Sequence, residues 1–248
     1  MSAGAGALRQ FSPPHLAALT VMVLLGGLGV WAARRQPGRW VEPAARVLAL
    51  LILAAWAGEY VADVVLGIWS IKYDLPLQLT DAVSLVCAAA LWTLARGTPH
   101  ARLVELVYFW GLSASLQAVL TPDLAYSFPS VFYFTYFGYH LGAVLAALVL
   151  VFGLRLYPGP GAVGRVYAAS LAWTALAGAG DLITGGNYMY LRHKPVHGSL
   201  LSVMGPWPWY ILATVALALA LLLALSAIAR GVQRLERGGR SVAQDVPA

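Results

Sequence analysis

Charged residues are scarce in this chain. Only 10% of its 248 residues are Asp, Glu, Lys or Arg, whereas a soluble domain carries about 25%. Hydrophobic residues make up 60% of the chain, and its mean hydropathy is +0.73. This composition excludes a soluble globular domain and predicts an integral membrane protein.

Cysteine, histidine and lysine are also missing from places where particular functions need them. Cys87 is the single cysteine, which excludes an intrachain disulfide and a metal cluster held by cysteines. His140 is the one histidine inside an apolar segment, whereas a catalytic zinc needs about three protein ligands. We therefore predict neither a metal nor another cofactor. Residues 210–229 contain no lysine, which excludes a retinal protein.

The apolar residues form blocks of about 20, the length at which a helix crosses a bilayer core of about 30 Å. Seven such blocks predict an all-α polytopic membrane protein, with seven transmembrane helices in one domain. The approximate bounds of the spans are 15–33, 44–67, 76–95, 101–121, 132–154, 162–184 and 207–230. The loops are too short for a soluble domain, and the polar tail 231–248 is predicted to be disordered.

The distribution of cationic residues predicts the orientation. Seven spans place the termini on opposite sides. The side of the N-terminus holds Arg9, Lys72, Arg192 and Lys194, and the other side holds the remaining 12 of the 16. The positive-inside rule therefore predicts an outside N-terminus and a cytoplasmic C-terminus in a multi-pass protein of the plasma membrane. This bias, with attraction to anionic lipids, accounts for the net charge of +6 without a nucleic-acid partner.

Polar residues inside the predicted spans fall at one depth, in the outer half of the bilayer. Ionisable residues in spans are costly, so each is a candidate for a functional site. Their common depth predicts a polar cavity that opens outward. The alternative is that they join helices through hydrogen bonds. The residues are Glu59, Asp63, Gln78, Thr80, Asp81, Gln117, Tyr136, His140 and Asp181.

The stretch "LPLQLTD" at 75–81 begins a span with polar side chains. With Asp74 as the predicted N-cap and Pro76 in the first turn, Thr80 lies near the positive end of the helix dipole. A hydroxyl there is a candidate nucleophile, because helix N-terminal amides favour a developing anion. The alternative is a threonine that bonds back to a carbonyl one turn earlier. Cys87, two turns deeper, is predicted to be a packing residue.

His140 is a candidate general base, since the hydroxyl of a threonine needs one. A carboxylate could orient its ring, and Asp63, Asp81 and Asp181 are equal candidates at this point. The alternative is a histidine that donates a hydrogen bond to a neighbouring helix.

The loop between the sixth and seventh spans is rich in polar and aromatic residues. Four residues of this loop are predicted to line or roof the mouth of the cavity: Asn187, Tyr188, Tyr190 and Arg192. Arg192 is available to a lipid phosphate. Trp207 and Trp209 are candidates for the same mouth, although a tryptophan pair at this depth is also typical of an aromatic belt.

Four stretches carry a resemblance to a known family: "YDLPLQLTD", "FYFTYFGYH", "GGNYMYLRHKP" and "MGPWPWY". Over residues 45–228 the chain resembles the YwaF-type bacterial integral membrane proteins. Their more distant relatives are a transmembrane ether-phospholipid acyltransferase of animals and the androgen-induced lipid hydrolases. The resemblance implies an enzyme that acts on acyl esters in the membrane.

In this resemblance Thr80 corresponds to the nucleophile and His140 to the base. The YwaF-type proteins usually have cysteine where this chain has Thr80, and threonine is similar to the androgen-induced hydrolases. The predicted activity is a Thr/His-dependent lipid ester hydrolase or acyltransferase, two outcomes that stay open here. The substrate would be a membrane lipid or fatty-acyl ester, with Gln78 or Asn187 helping to hold the oxyanion. The alternative is a non-enzymatic transporter or a lipid- or solute-binding protein that uses the same cavity.

Overall fold

The structure is a computed structural model that describes residues 6–36, 38–195 and 199–244. Within these ranges all regular structure is helical, in seven main helices. They are α1 (Pro13–Arg35), α2 (Val41–Val65), α3 (Leu79–Leu94), α4 (Ala101–Leu120), α5 (Val131–Gly153), α6 (Ala162–Thr184) and α7 (Trp209–Gln244). The predicted all-α architecture is confirmed.

Six of these helices are long and apolar enough to cross a membrane, and α3, with 16 residues, is shorter. The predicted span 76–95 begins too early. Gln78, not Asp74, is the N-cap of α3, and the Asp74 carboxylate instead accepts from the Ser70 amide at 2.6 Å. Two local causes delay the helix. Pro76 disfavours helical conformation at the residue before it, and the Asp81 carboxylate accepts from the Gln78 amide at 2.8 Å, one half of a capping box.

Helices α2, α3, α4 and α5 form the core of the bundle, and small residues bring them close together. A Cβ on Gly142 of α5 would lie 2.6 Å from the side chain of Ile52, and one on Gly138 would lie 2.8 Å from Ala55. Glycine at both positions therefore lets α5 approach α2 closely, as in many membrane bundles. Helices α6 and α7 pack against each other and lie at the side of this core.

The last helix continues past the membrane-length segment, which corrects the predicted disorder of residues 231–244. Glu236 forms ion pairs with Arg34 at 2.6 Å and with Arg155 at 3.1 Å. A polar segment of Arg, Gln, Leu and Glu is also composed of good helix formers, so the absence of apolar runs did not imply disorder. Residues 245–248 of the predicted tail lie outside the described residues.

The loops that carry the predicted site meet at one end of the bundle. The Leu8 amide donates to the Leu124 carbonyl at 2.9 Å, and the Met189 amide donates to Gln78 Oε1 at 2.8 Å. Tyr190 OH donates to Asp123 Oδ2 at 2.8 Å. These contacts bring together the N-terminal segment, the beginnings of α3 and α7 and the ends of α2, α4 and α6. We call this the site end of the bundle.

Candidate functional site

A cavity of about 580 Å³ lies at the site end, surrounded by α2 to α7 and by the loop between α6 and α7. Most of the polar residues that the sequence places at one depth line it. They are Glu59, Asp63, Gln78, Thr80, Asp81, Gln117, Tyr136 and His140. The cavity extends along α7, where its wall is apolar and includes Val215, Leu217, Ala218, Leu221 and Leu222.

Thr80 lies in the first turn of α3, half-buried in the cavity wall. Its carbonyl accepts from the Ser84 hydroxyl at 2.9 Å, but in the described part of the chain its own hydroxyl makes no hydrogen bond. This excludes the alternative of a hydroxyl bonded back to the preceding turn. The amides of Leu79 and Thr80 also have no acceptor among the described residues, as expected for the first turn of a helix.

His140 of α5 lines the same cavity and is 2% exposed. Its Nδ1 atom is buried without a hydrogen-bond partner among the described residues. The ring packs between Tyr136 and Tyr139, with both ring centroids 4.4 Å away. No described carboxylate bonds to the imidazole, and no hydrogen bond joins it to Thr80. Aromatic packing, rather than a carboxylate, therefore fixes the ring.

The Asp81 carboxylate joins α2 to α3 through hydrogen bonds. Its carboxylate accepts from Trp56 Nε1 at 3.0 Å, from Tyr60 OH at 2.7 Å and from the Gln78 amide at 2.8 Å. The sequence analysis missed Trp56 and Tyr60, both of which line the cavity. Their spacing of four residues on α2 was the available signal, because a buried indole N–H or phenol O–H needs an acceptor.

Asp181 and Tyr188 hold the loops together and do not line the cavity. Asp181 is 1% exposed, and its Oδ1 accepts from the Tyr188 amide at 2.6 Å. The fully buried Tyr188 hydroxyl donates to the Ile71 carbonyl at 2.6 Å and accepts from the Leu75 amide at 3.0 Å. The two residues thereby join the end of α6 to the segment that leads into α3.

Four further predicted residues lie outside the lining of the cavity. Asn187 braces its own loop, because its Oδ1 accepts from the amides of Arg192 and His193 at 2.9 Å. Arg192 Nη1 donates to the Gly186 carbonyl at 3.3 Å. Trp207 and Trp209 are each 63% exposed, as an aromatic belt requires. Asn187 is thus not placed to hold an oxyanion.

Tyr190, which the sequence predicts at the mouth, forms the roof of the cavity together with Met189. The φ angles of Met189 and Tyr190, 53° and 57°, are in the left-handed region. Tyr190 bonds to Asp123, and burial together with this carboxylate raises the pKa of the phenol above its ordinary value. The Tyr190 carbonyl accepts from Tyr210 OH at 2.5 Å. Asp123, which lies between α4 and α5, was missed because only the fold brings it to Tyr190.

Comparison with protein families places the chain among known membrane proteins. A family model described as the TMEM164 family matches residues 10–226. The chain belongs to the TMEM164 family. The match includes α1 to α6, the first half of α7 and every described residue that lines the cavity. Searches of curated proteins and of solved structures found no match to this chain.

The cavity of this TMEM164-family chain has polar chemistry but no arrangement suited to a metal ion. Among the described residues, no group of three or more His, Cys, Asp and Glu is placed to hold one. Cys87 is fully buried in the core and does not line the cavity, as expected for a packing residue. The groups available for chemistry are therefore Thr80, His140 and the free backbone amides at the start of α3.

Proposed function

We propose that this chain is an integral membrane acyl-transfer enzyme, with Thr80 as nucleophile and His140 as its base. One observation carries the proposal: within the described structure, the hydroxyl of the half-buried Thr80 and Nδ1 of the buried His140 have no hydrogen-bond partner, and both residues line the same cavity. Buried polar atoms normally have partners. The unpartnered Nδ1 in a cavity that also presents a free hydroxyl supports a site for a ligand or a reaction.

The reaction divides into two steps. His140 takes the hydroxyl proton as Thr80 Oγ1 attacks the ester carbonyl carbon, and the same proton then goes to the alcohol that leaves. In the second step water or a second lipid alcohol attacks the threonyl ester, which frees the Thr80 hydroxyl. Water makes the enzyme a hydrolase and a lipid alcohol makes it an acyltransferase. The chemistry requires His140 to reach Thr80 directly or through one water.

Groups at the beginning of α3 would stabilise the oxyanion. The Leu79 and Thr80 amides lack acceptors in the described structure, and the Gln78 side-chain N–H₂ group makes no hydrogen bond there either. Hydrogen-bond donors that are in place before the reaction stabilise an oxyanion more than donors that must first reorganise. The apolar strip of α7 from Val215 to Leu222 offers a surface for the acyl chain.

The resemblance to YwaF-type proteins and to the two groups of lipid enzymes supports the same assignment, since Thr80 and His140 occupy the matching positions. The distribution of arginine supports an orientation in which the site end faces outward from the plasma membrane. A lipid of the outer leaflet, or a fatty-acyl ester dissolved in it, is then the expected substrate.

A non-enzymatic protein that binds or transports a lipid or solute is the second candidate. Glu59 favours it, because its Oε2 atom is buried without a partner in the described part of the chain. A carboxylate in that state suits a binding site as well as an active site.

A fluorophosphonate probe, with the adduct mapped by mass spectrometry, separates the two candidates. We expect the probe to label Thr80 in the wild type and not in Thr80→Ala. His140→Gln should lower the labelling rate about 100-fold or more, as expected when a general base is removed. Thr20→Ala on α1, whose hydroxyl bonds to the Leu16 carbonyl, is the matched control and should label normally. Equal labelling of wild type and Thr80→Ala, or none in any folded variant, would reject the enzyme.

A further inference from the structure

The charge of the cavity is opposite to that of the protein. The chain has a net charge of +6, yet none of the described residues that line the cavity is lysine or arginine. The ionisable residues described in its lining are one histidine, several tyrosines and five carboxylates. The carboxylates are Glu59, Asp63, Asp74, Asp81 and Asp123. A lining of this kind repels an anionic group and attracts a cationic one.

Three of these carboxylates already have donors. Asp81 accepts from Trp56, Tyr60 and Gln78, Asp74 accepts from the Ser70 amide, and Asp123 accepts from Tyr190.

Glu59 and Asp63, one turn apart on α2, differ from the other three. Glu59 Oε2 is buried without a hydrogen-bond partner among the described residues. The Asp63 side chain likewise accepts no hydrogen bond within the described structure. Tyr139 and Thr135 lie within hydrogen-bond reach of the Glu59 carboxylate, which leaves Oε2 unpartnered. The two residues thus form a pair of carboxylates on one face of α2 that keeps acceptor capacity for a ligand.

Aromatic rings line the cavity that holds this pair. Tyr139 lies beside Glu59, and the ring of Tyr139 packs on His140, which is 2% exposed with an unpartnered Nδ1. The other aromatic residues in the lining are Trp56, Tyr60, Tyr73, Trp110, Tyr136, Tyr167, Tyr190 and Tyr210. Aromatic faces attract a cation within about 6 Å of the ring centroid. Carboxylates together with aromatic faces are the combination that recognises organic ammonium groups.

We infer that the cavity binds the ammonium group of its ligand, with Glu59 and Asp63 as counter-charges and the aromatic residues around them as walls. A metal ion fits less well, because the described residues provide no group of three ligands. The inference rests on the proposed function only in taking the ligand to be a lipid. A zwitterionic headgroup and a free amine share the required chemistry.

Binding of two lysolipids with the same acyl chain tests the inference. Lysophosphatidylcholine carries an ammonium group and lysophosphatidylglycerol does not. We expect native mass spectrometry of the wild type in neutral detergent to show a preference of about tenfold or more for lysophosphatidylcholine. Glu59→Gln and Asp63→Asn should each reduce this preference. Glu42→Gln, an exposed acid at the other end of α2, should keep it.

Choline chloride identifies the source of the ammonium group. Displacement of lysophosphatidylcholine by choline supports recognition of the free amine, and binding that choline does not displace supports recognition of the whole lipid.

Equal wild-type binding of the two lysolipids would overturn the inference, and this result does not depend on the folding of any variant. An undiminished preference in both Glu59→Gln and Asp63→Asn would also overturn it.

The same measurement separates this inference from the proposed enzyme. Thr80→Ala should keep the headgroup preference, because Thr80 is not part of the proposed counter-charge. A preference for lysophosphatidylcholine without labelling of Thr80 would reject the enzyme alone. Labelling of Thr80 without a preference would reject the ammonium site alone.

Discussion

At the scale of single residues, the cavity wall contains two kinds of polar side chain. The carboxylate of Asp81 has three donors and joins two helices. Thr80, His140 and Glu59 have polar atoms without partners in the described structure. A buried polar atom without a partner costs about 1–3 kcal/mol. His140 Nδ1 and Glu59 Oε2 are two such atoms in one cavity, and a ligand that supplies the missing bonds explains them best.

Asp81→Asn tests whether the hydrogen-bonded carboxylate of Asp81 stabilises the fold. The amide nitrogen of asparagine would face one of the three donors, so we expect the free energy of unfolding to fall by about 1–3 kcal/mol. Thermal unfolding in detergent measures the change as a lower Tm. Asp63→Asn, in the same cavity but without a hydrogen bond to its side chain, is the control and should unfold within about 0.5 kcal/mol of the wild type. Equal effects of the two changes would contradict the role of Asp81.

The sequence identified the polar residues of the cavity because any polar group stands out within an apolar span. It could not assign their partners. Asp81 and Asp181 were equal candidates to orient His140, but each carboxylate bonds elsewhere, to Tyr60 and to the Tyr188 amide. Those contacts depend on the relative rotation of α2, α3 and α6, which a single sequence does not determine.

At the scale of elements, the loop after α6 and the segment before α3 form one unit. Tyr188 bonds to both Ile71 and Leu75, and Trp173 Nε1 donates to the Leu77 carbonyl at 3.2 Å. Gly186 allows the close approach, since a Cβ there would lie 2.5 Å from the Lys72 carbonyl oxygen. The start of α3, and with it Thr80, is thus positioned by contacts from α6 and its loop.

Gly186→Ala should therefore displace the beginning of α3. We expect a destabilisation of about 1–3 kcal/mol, as for other overpacked sites, and loss of Thr80 labelling. Gly164→Ala in the first turns of α6 is the matched control, because a Cβ there meets no atom within 4 Å. It should be neutral or slightly stabilising, since alanine is the better helix former. Normal labelling of Gly186→Ala would show that this loop does not position Thr80.

Helix bounds show the same division between local and tertiary information. The apolar blocks predicted every helix, because length and hydropathy are local properties. The start of α3 and the end of α7 differed from the prediction. The start of α3 follows from local features, Pro76 and the capping bond between Gln78 and Asp81. The end of α7 is instead stabilised by a contact between distant residues, Arg34 with Glu236.

At the scale of the whole molecule, the end of the bundle that carries Arg34, Arg155 and Arg165 is opposite the site end. The positive-inside rule predicts that the site end faces outward. Single cysteines test this orientation, because the native Cys87 is fully buried and should not react. We expect a membrane-impermeant maleimide to label Ala125→Cys in intact cells and to label Thr98→Cys only after permeabilisation. Both positions are exposed in loops, and the reverse pattern would contradict the orientation.

The short length of α3 determines how deep Thr80 lies in the membrane. Its 16 residues span about 24 Å at a rise of about 1.5 Å per residue, roughly 6 Å less than the thickness of a bilayer core. If its Leu94 end reaches one border of the core, Thr80 lies about 6 Å inside the other, roughly one helical turn below the ester carbonyls of a glycerolipid. The ester would then move inward by about that distance to meet Thr80, while the acyl chains stay in the membrane.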